Sequence, residues 1–257
     1  MKDERLVALE RLLNIMDDLR AKCPWDKKQT MESLRPLTIE ETYELGDAIL
    51  DNNLQEVKKE LGDLLLHIVF YAKIGSELNS FDISDVTNSI CDKLIERHPH
   101  IYGNANATTE EEVKQNWEKI KLKTGNKSVL EGVPKSLPAL VKATRIQDKA
   151  AGVGFDWDNT QDVFAKVKEE IQELEQEVKA GNLKNIEAEF GDVLFSLINY
   201  ARFLKVNPEN ALEYTNKKFI KRFQYLEEKA TTQGKSLKDM TLPEMETYWQ
   251  EAKNKEL

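Results

Sequence analysis

Cysteine is nearly absent. The 257 residues include two, Cys23 and Cys91. They form no CxxC pair, so neither a zinc ribbon nor a disulfide framework is signalled, and a reducing cytoplasm is the expected location. Glycine (11) and proline (7) are scarce, which argues against an all-β sandwich, a collagen or a disordered chain. Met1-Lys2-Asp3-Glu4-Arg5 carries no apolar signal core. The longest apolar stretch, Leu64 to Ala72, is interrupted by His67 and too short to cross a bilayer. A basic excess is missing too: 37 basic against 46 acidic residues give a net charge of −9. A nucleic-acid surface and an anionic membrane are therefore unexpected partners. A phosphate ligand still fits if metal ions or local basic residues bridge the like charges. No G-x-x-x-x-G-K-[ST] loop occurs, which excludes a P-loop nucleotide site.

What the chain does have is charge, helix formers and an internal repeat. Glu40-Glu41-x-x-Glu44 recurs as Glu169-Glu170-x-x-Glu173, and Glu60-x-Gly62-Asp63 as Glu189-x-Gly191-Asp192, at one offset of 129. Leu45/Leu174, Leu65/Leu194 and Tyr71-Ala72/Tyr200-Ala201 share it. With small indels Trp25-Asp26 pairs with Trp157-Asp158, Lys93/Arg97 with Lys218/Arg222, and Trp117/Lys121 with Trp249/Lys253. Five acidic coincidences at one offset would arise by chance about 2 times in 10,000. We read two homologous domains, 1–124 and 139–257, joined by a Gly- and Pro-containing linker, 125–138.

Apolar residues at three- and four-residue steps (Leu6, Leu9, Leu12, Leu13, Met16, Leu19) mark one helix face. Thr38, three before Glu41, resembles a capping box opening a second helix that runs to Leu50. Asp51-Asn52-Asn53 and Ala180-Gly181-Asn182 are equivalent turns. The helix from Leu54 becomes apolar nearly all round from Leu64, as expected in a bundle interior or a subunit interface. Nothing alternates with period two. The expected fold is all-α, a tandem of two helical bundles.

Glu41 and Glu44 lie on one helix face, Glu60 and Asp63 on one face of the next, and a short turn makes the helices antiparallel neighbours. Glu170, Glu173, Glu189 and Asp192 repeat the set. Four crowded carboxylates raise one another's pKa, and a hard divalent ion, Mg²⁺ or Mn²⁺, relieves that conflict. The chemistry of such a site is hydrolysis or transfer at phosphate. A di-iron bundle would want Glu-x-x-His, which no histidine here supplies. Lys218/Arg222 and Lys93/Arg97, each four apart, suit a polyphosphate tail. Trp249 with Lys253, and Trp117 with Lys121, suit a base and its phosphates. We read Trp25 and Trp157 as core anchors, and Asp26 and Asp158 as helix caps.

These residues carry a family resemblance. The EExxE and ExxD pairs, with Cys23-Pro24-Trp25-Asp26, Arg97-His98-Pro99-His100, Leu130-Glu131-Gly132-Val133-Pro134 and Val153-Gly154-Phe155-Asp156-Trp157, resemble the MazG family of all-α nucleoside triphosphate pyrophosphohydrolases in its two-domain form. The resemblance covers nearly the whole chain. It implies a homodimer that converts NTP and water to NMP and pyrophosphate with Mg²⁺, acting on standard and aberrant nucleotides. It implies metal ligands at Glu170, Glu173, Glu189 and Asp192, nucleotide contacts at Lys218, Arg222, Trp249 and Lys253, and a matching metal motif at Glu41, Glu44, Glu60 and Asp63. The second half is the favoured catalytic centre. Glu169 or Glu170 would position or deprotonate water, and Lys218 and Arg222 would steady the leaving group. Two other readings compete: a non-catalytic helical dimerisation or adaptor module, and a hydrolase specialised for one nucleotide.

Overall fold

The computed structural model describes residues 3–109, 112–113, 116–117, 120 and 128–255. Every regular element among them is helical. The chain divides into two compact units, 1–113 and 114–257.

In the first unit α1 (Glu4–Lys22), α2 (Met31–Leu50), α3 (Leu54–Glu77), α4 (Ile83–Arg97) and the single turn α5 (Pro99–Tyr102) follow in order. The second contains α6 (Ala139–Ala151), α7 (Thr160–Ala180), α8 (Leu183–Phe203), α9 (Pro208–Thr232) and α10 (Leu242–Asn254). The α2–α3 hairpin and its repeat, α7–α8, are the most extensively packed helix pairs. Their turns share one device. Asn52 (φ 53°) and Gly181 (φ 74°) sit at equivalent repeat positions in the left-handed region, and Asn53 and Asn182 then cap α3 and α8. A left-handed residue followed by an Asn cap reverses the chain in the fewest residues.

Thr38 does not begin a helix. The α2 start lies at Thr30, where a Thr30–Ser33 capping box closes the N-terminus, and the helix runs through Pro36. Buried Leu34 anchors this first turn in a core with Met16, Val69, Phe70 and Ile74. Thr38 sits mid-helix, bonding Leu34 O at 3.0 Å and the Tyr71 hydroxyl at 2.8 Å. The linker reading also changes. Residues 129–132 form a 3₁₀ turn that packs on α6, where Lys149 Nζ donates to Val129 O at 3.0 Å.

The apolar girdle of α3 is only partly covered. Leu61, Leu65 and Ile68 are 52%, 41% and 47% exposed, and their repeat counterparts Phe190, Leu194 and Leu197 are 54%, 47% and 43% exposed. Steps of four and three put each trio on one helix face. No helix of the described residues is long and apolar enough to cross a membrane.

Candidate active site

Each helix hairpin gathers three carboxylates. Glu41, Glu60 and Asp63 each bring an oxygen within 4.8 Å of the others, as do Glu170, Glu173 and Glu189. The hairpins explain this: α2 sets Glu41 against Glu60 and Asp63, three apart on α3, and α7 sets Glu170 and Glu173, three apart, against Glu189 on α8. Glu44 and Asp192 lie outside these groups of three. Asp192 instead lines the adjoining cavity of the second unit.

Crowding shows in the acids themselves. Burial, then the charges of Asp63, Glu44 and Glu60, raise the Glu41 pKa. Desolvation, then the hydrogen bond and charge of Glu170, raise that of Glu173. In each unit a lysine supplies partial relief, and the two units use different lysines. In the first, Lys59 Nζ lies 2.8 Å from Glu60 Oε1, while Glu60 Oε2 is buried with no hydrogen-bond partner among the described residues. In the second, Lys166 Nζ lies 2.7 Å from Glu170 Oε1 and 2.9 Å from Glu169 Oε1, which raises the Lys166 pKa. The repeat places Leu37 at the position of Lys166 and Ala188 at that of Lys59, so the paired lysine stands on α3 in the first unit and on α7 in the second.

Beside the second group lies a cavity of about 400 Å³. This falls in the roughly 300–1,000 Å³ range of small-molecule sites. Glu170 belongs to both the carboxylate group and the cavity wall. Phe155, Trp157 and Phe195 supply apolar wall, and Gln147, Asn199 and Arg202 polar points. The strap carrying Phe155 and Trp157 is tied down by Asp156, which accepts from Arg202 at 2.5 and 2.8 Å. Trp157 is therefore no core anchor: it is 42% exposed at the cavity, and Trp25 is 55% exposed. Nor does Asp158 cap α7. Asn159 does, accepting from Asp162 N at 2.9 Å. Asp26 is buried at the start of a 3₁₀ turn and caps nothing. Spacing alone does not separate two neighbouring polar residues at a helix start, and here the second took the role.

The basic and aromatic positions of the second unit lie on α9 and α10, outside the cavity wall. Lys218 and Arg222 are one turn apart on α9, and Trp249 and Lys253 one turn apart on α10. The Trp249 ring tilts onto Phe219 at 4.9 Å, and none of these residues lines the cavity. Lys93 and Arg97 lie on α4, Trp117 is half-buried, and Lys121 lies outside the described residues. Sequence reasoning missed Gln147, Lys166, Asn199 and Arg202. The repeat held a signal for some of them: Lys166, Asn199 and Arg202 replace Leu37, Phe70 and Lys73 at the shared offset.

Comparison with known proteins is consistent with this geometry. Residues 29–102 and 159–226 match the MazG nucleotide pyrophosphohydrolase domain. The chain is 41% identical over 252 residues to the nucleoside triphosphate pyrophosphohydrolase/pyrophosphatase MazG of Thermotoga maritima, covering 96% of each. It is 41% identical over 258 residues to the nucleoside triphosphate pyrophosphohydrolase of Escherichia coli K12, covering 97% of this chain and 98% of that one. An uncharacterized Bacillus subtilis protein, YabN, is 46% identical over 264 residues, which span all of this chain and 54% of YabN.

Proposed function

The chain belongs to the MazG nucleotide pyrophosphohydrolase family, and from that premise we propose that its second unit hydrolyses nucleoside triphosphates to the monophosphate and pyrophosphate. The observation that carries this is Glu170, shared between the three-carboxylate group and the wall of a nucleoside-sized cavity. A site so built holds the phosphates of a nucleotide against the acids and its base in the apolar pocket.

The donor set fits Mg²⁺ or Mn²⁺: oxygen ligands only, within 4.8 Å of one another, with the Glu173 pKa raised by desolvation and then by Glu170. Glu170, Glu173 and Glu189 would hold the ion, with Asp192 adjacent. Bound there, it supplies charge neutralisation on the phosphates and acidifies water. The water oxygen attacks the α-phosphorus, the bond to the α–β bridging oxygen breaks, and pyrophosphate leaves with that oxygen. Glu169, exposed beside the group and 2.9 Å from Lys166, would receive the proton that water sheds, since Glu170 would be a ligand of the ion. Lys218 and Arg222 meet the growing charge on the leaving pyrophosphate, with Trp249 and Lys253 beside them on α10.

The working unit in this reading is a homodimer. Its support is the apolar stripe Phe190, Leu194 and Leu197, exposed in the single chain, which a second copy of the same unit would cover. Breadth over several nucleotides is part of the proposal. The test is product analysis over an NTP panel with Mg²⁺. Pyrophosphate and NMP in equal amounts are expected. Orthophosphate as the first product would exclude attack at the α-phosphorus, and no turnover in Mg²⁺ or Mn²⁺ would favour an adaptor role.

A further inference from the structure

Two buried amides on the cavity wall have orientations that their neighbours dictate. Gln147 is 6% exposed, and its Nε2 donates to the Phe195 carbonyl at 2.8 Å. A carbonyl only accepts, so the amide nitrogen must face it and Oε1 is turned the other way. That Oε1 is buried and has no hydrogen-bond partner among the described residues. An acceptor left so costs roughly 1–3 kcal/mol in general, and it persists where a ligand satisfies it. Asn199 is 4% exposed, and its Oδ1 accepts from Arg202 Nε at 3.1 Å and Nη2 at 2.8 Å. A guanidinium only donates, so the Asn199 Nδ2 donor is directed away from it. Arg202 is itself fixed by its two-pronged pair with Asp156.

The two amides are close. Phe195 and Asn199 are one helical turn apart on α8, and the Phe195 carbonyl that holds Gln147 is the one facing the Asn199 backbone N–H in the helical ladder. The wall thus offers one fixed acceptor and one fixed donor within a turn of helix. The first unit has no such pair: Asn199 is replaced at the repeat position by Phe70, 2% exposed and packed with Met16, Leu34 and Val69.

We propose that Gln147 Oε1 and Asn199 Nδ2 read the Watson–Crick edge of the substrate base. This rests on the pyrophosphohydrolase reading and adds to it the residues that set base choice. Adenine and cytosine carry an amino donor beside a ring-nitrogen acceptor, and guanine and uracil a ring N–H beside a carbonyl. The order is reversed between the two sets, so an acceptor and donor held in one orientation suit adenine and cytosine and set like against like with guanine and uracil. A base lacking the donor leaves Gln147 unsatisfied and is disfavoured.

The experiment compares ATP with purine riboside triphosphate, whose edge has the acceptor and no N–H, using the full-length protein and Mg²⁺. The wild type should hydrolyse ATP with kcat/KM about tenfold or more above the analogue. Gln147→Leu should lower ATP turnover more than that of the analogue, so that the two converge. Asn199→Asp, which keeps an oxygen for Arg202 and loses the donor, should weaken both. Equal kcat/KM for the two nucleotides in the wild type overturns the proposal, and so does a Gln147→Leu loss that falls equally on both. The wild-type comparison decides alone if neither variant folds. Failure to hydrolyse either nucleotide overturns the pyrophosphohydrolase reading, and this one with it.

Discussion

The Lys166 ammonium lies 2.7 Å from Glu170, the buried acid of the second carboxylate group. A lysine here does in the metal-free chain part of what a divalent ion would do. It neutralises a buried carboxylate whose unpaired charge would be costly.

Lys166→Leu, which installs the residue found at the repeat position, should therefore destabilise the metal-free protein. A charge-assisted hydrogen bond contributes about 1.5–3 kcal/mol, so a fall of several degrees in Tm is expected. Saturating Mn²⁺ should narrow the gap between variant and wild type, because ion and ammonium serve the same oxygens. A Tm difference that Mn²⁺ leaves unchanged would show that they do not compete.

The two units should differ in activity. Glu189→Gln removes a carboxylate from the group that adjoins the cavity, and kcat should fall about 100-fold or more, the scale of a lost transition-state charge contact. Glu60→Gln alters the unit in which Phe70 occupies the corresponding register, and kcat should change less than about threefold. Steady-state pyrophosphate release measures both. Equal losses would mean that both units catalyse.

Glu244 closes the capping box of α10 and pairs with Lys235 at 2.9 Å. The Lys235 hydrogen bond, then those from Thr241, lower its pKa from 4.5 to about 2. A carboxylate depressed by folding stabilises the native state above its unfolded value. That contribution is lost as pH falls from about 4.5 through about 2. The Tm difference between wild type and Glu244→Gln should be full at pH 6 and shrink steadily below pH 4.5. A difference constant from pH 6 to pH 3 would contradict this.

Leu194→Asp places a charge in the middle of the exposed stripe Phe190–Leu194–Leu197. Sedimentation should show a dimer for the wild type and a monomer for the variant, with helix content retained. A wild type that sediments as a monomer would leave this stripe without its proposed cover.

The sequence by itself determined the all-α class, the doubled domain and, of the four carboxylates it assigns to each hairpin, the three that gather there. These follow from local rules: helical periodicity, acids at i and i+3, and turns too short to do anything but fold one helix back on the next. Local ambiguity limits what spacing resolves: it points to Thr38 where Thr30 is the cap, and to Asp158 where Asn159 is. Tertiary structure decided the site beside the acids. Gln147 is oriented by a carbonyl 48 residues away, and Arg202 by Asp156 across 46 residues. The direction of an amide depends on which partner stands on each side of it, and only the packed α6, α7 and α8 bring those partners into place.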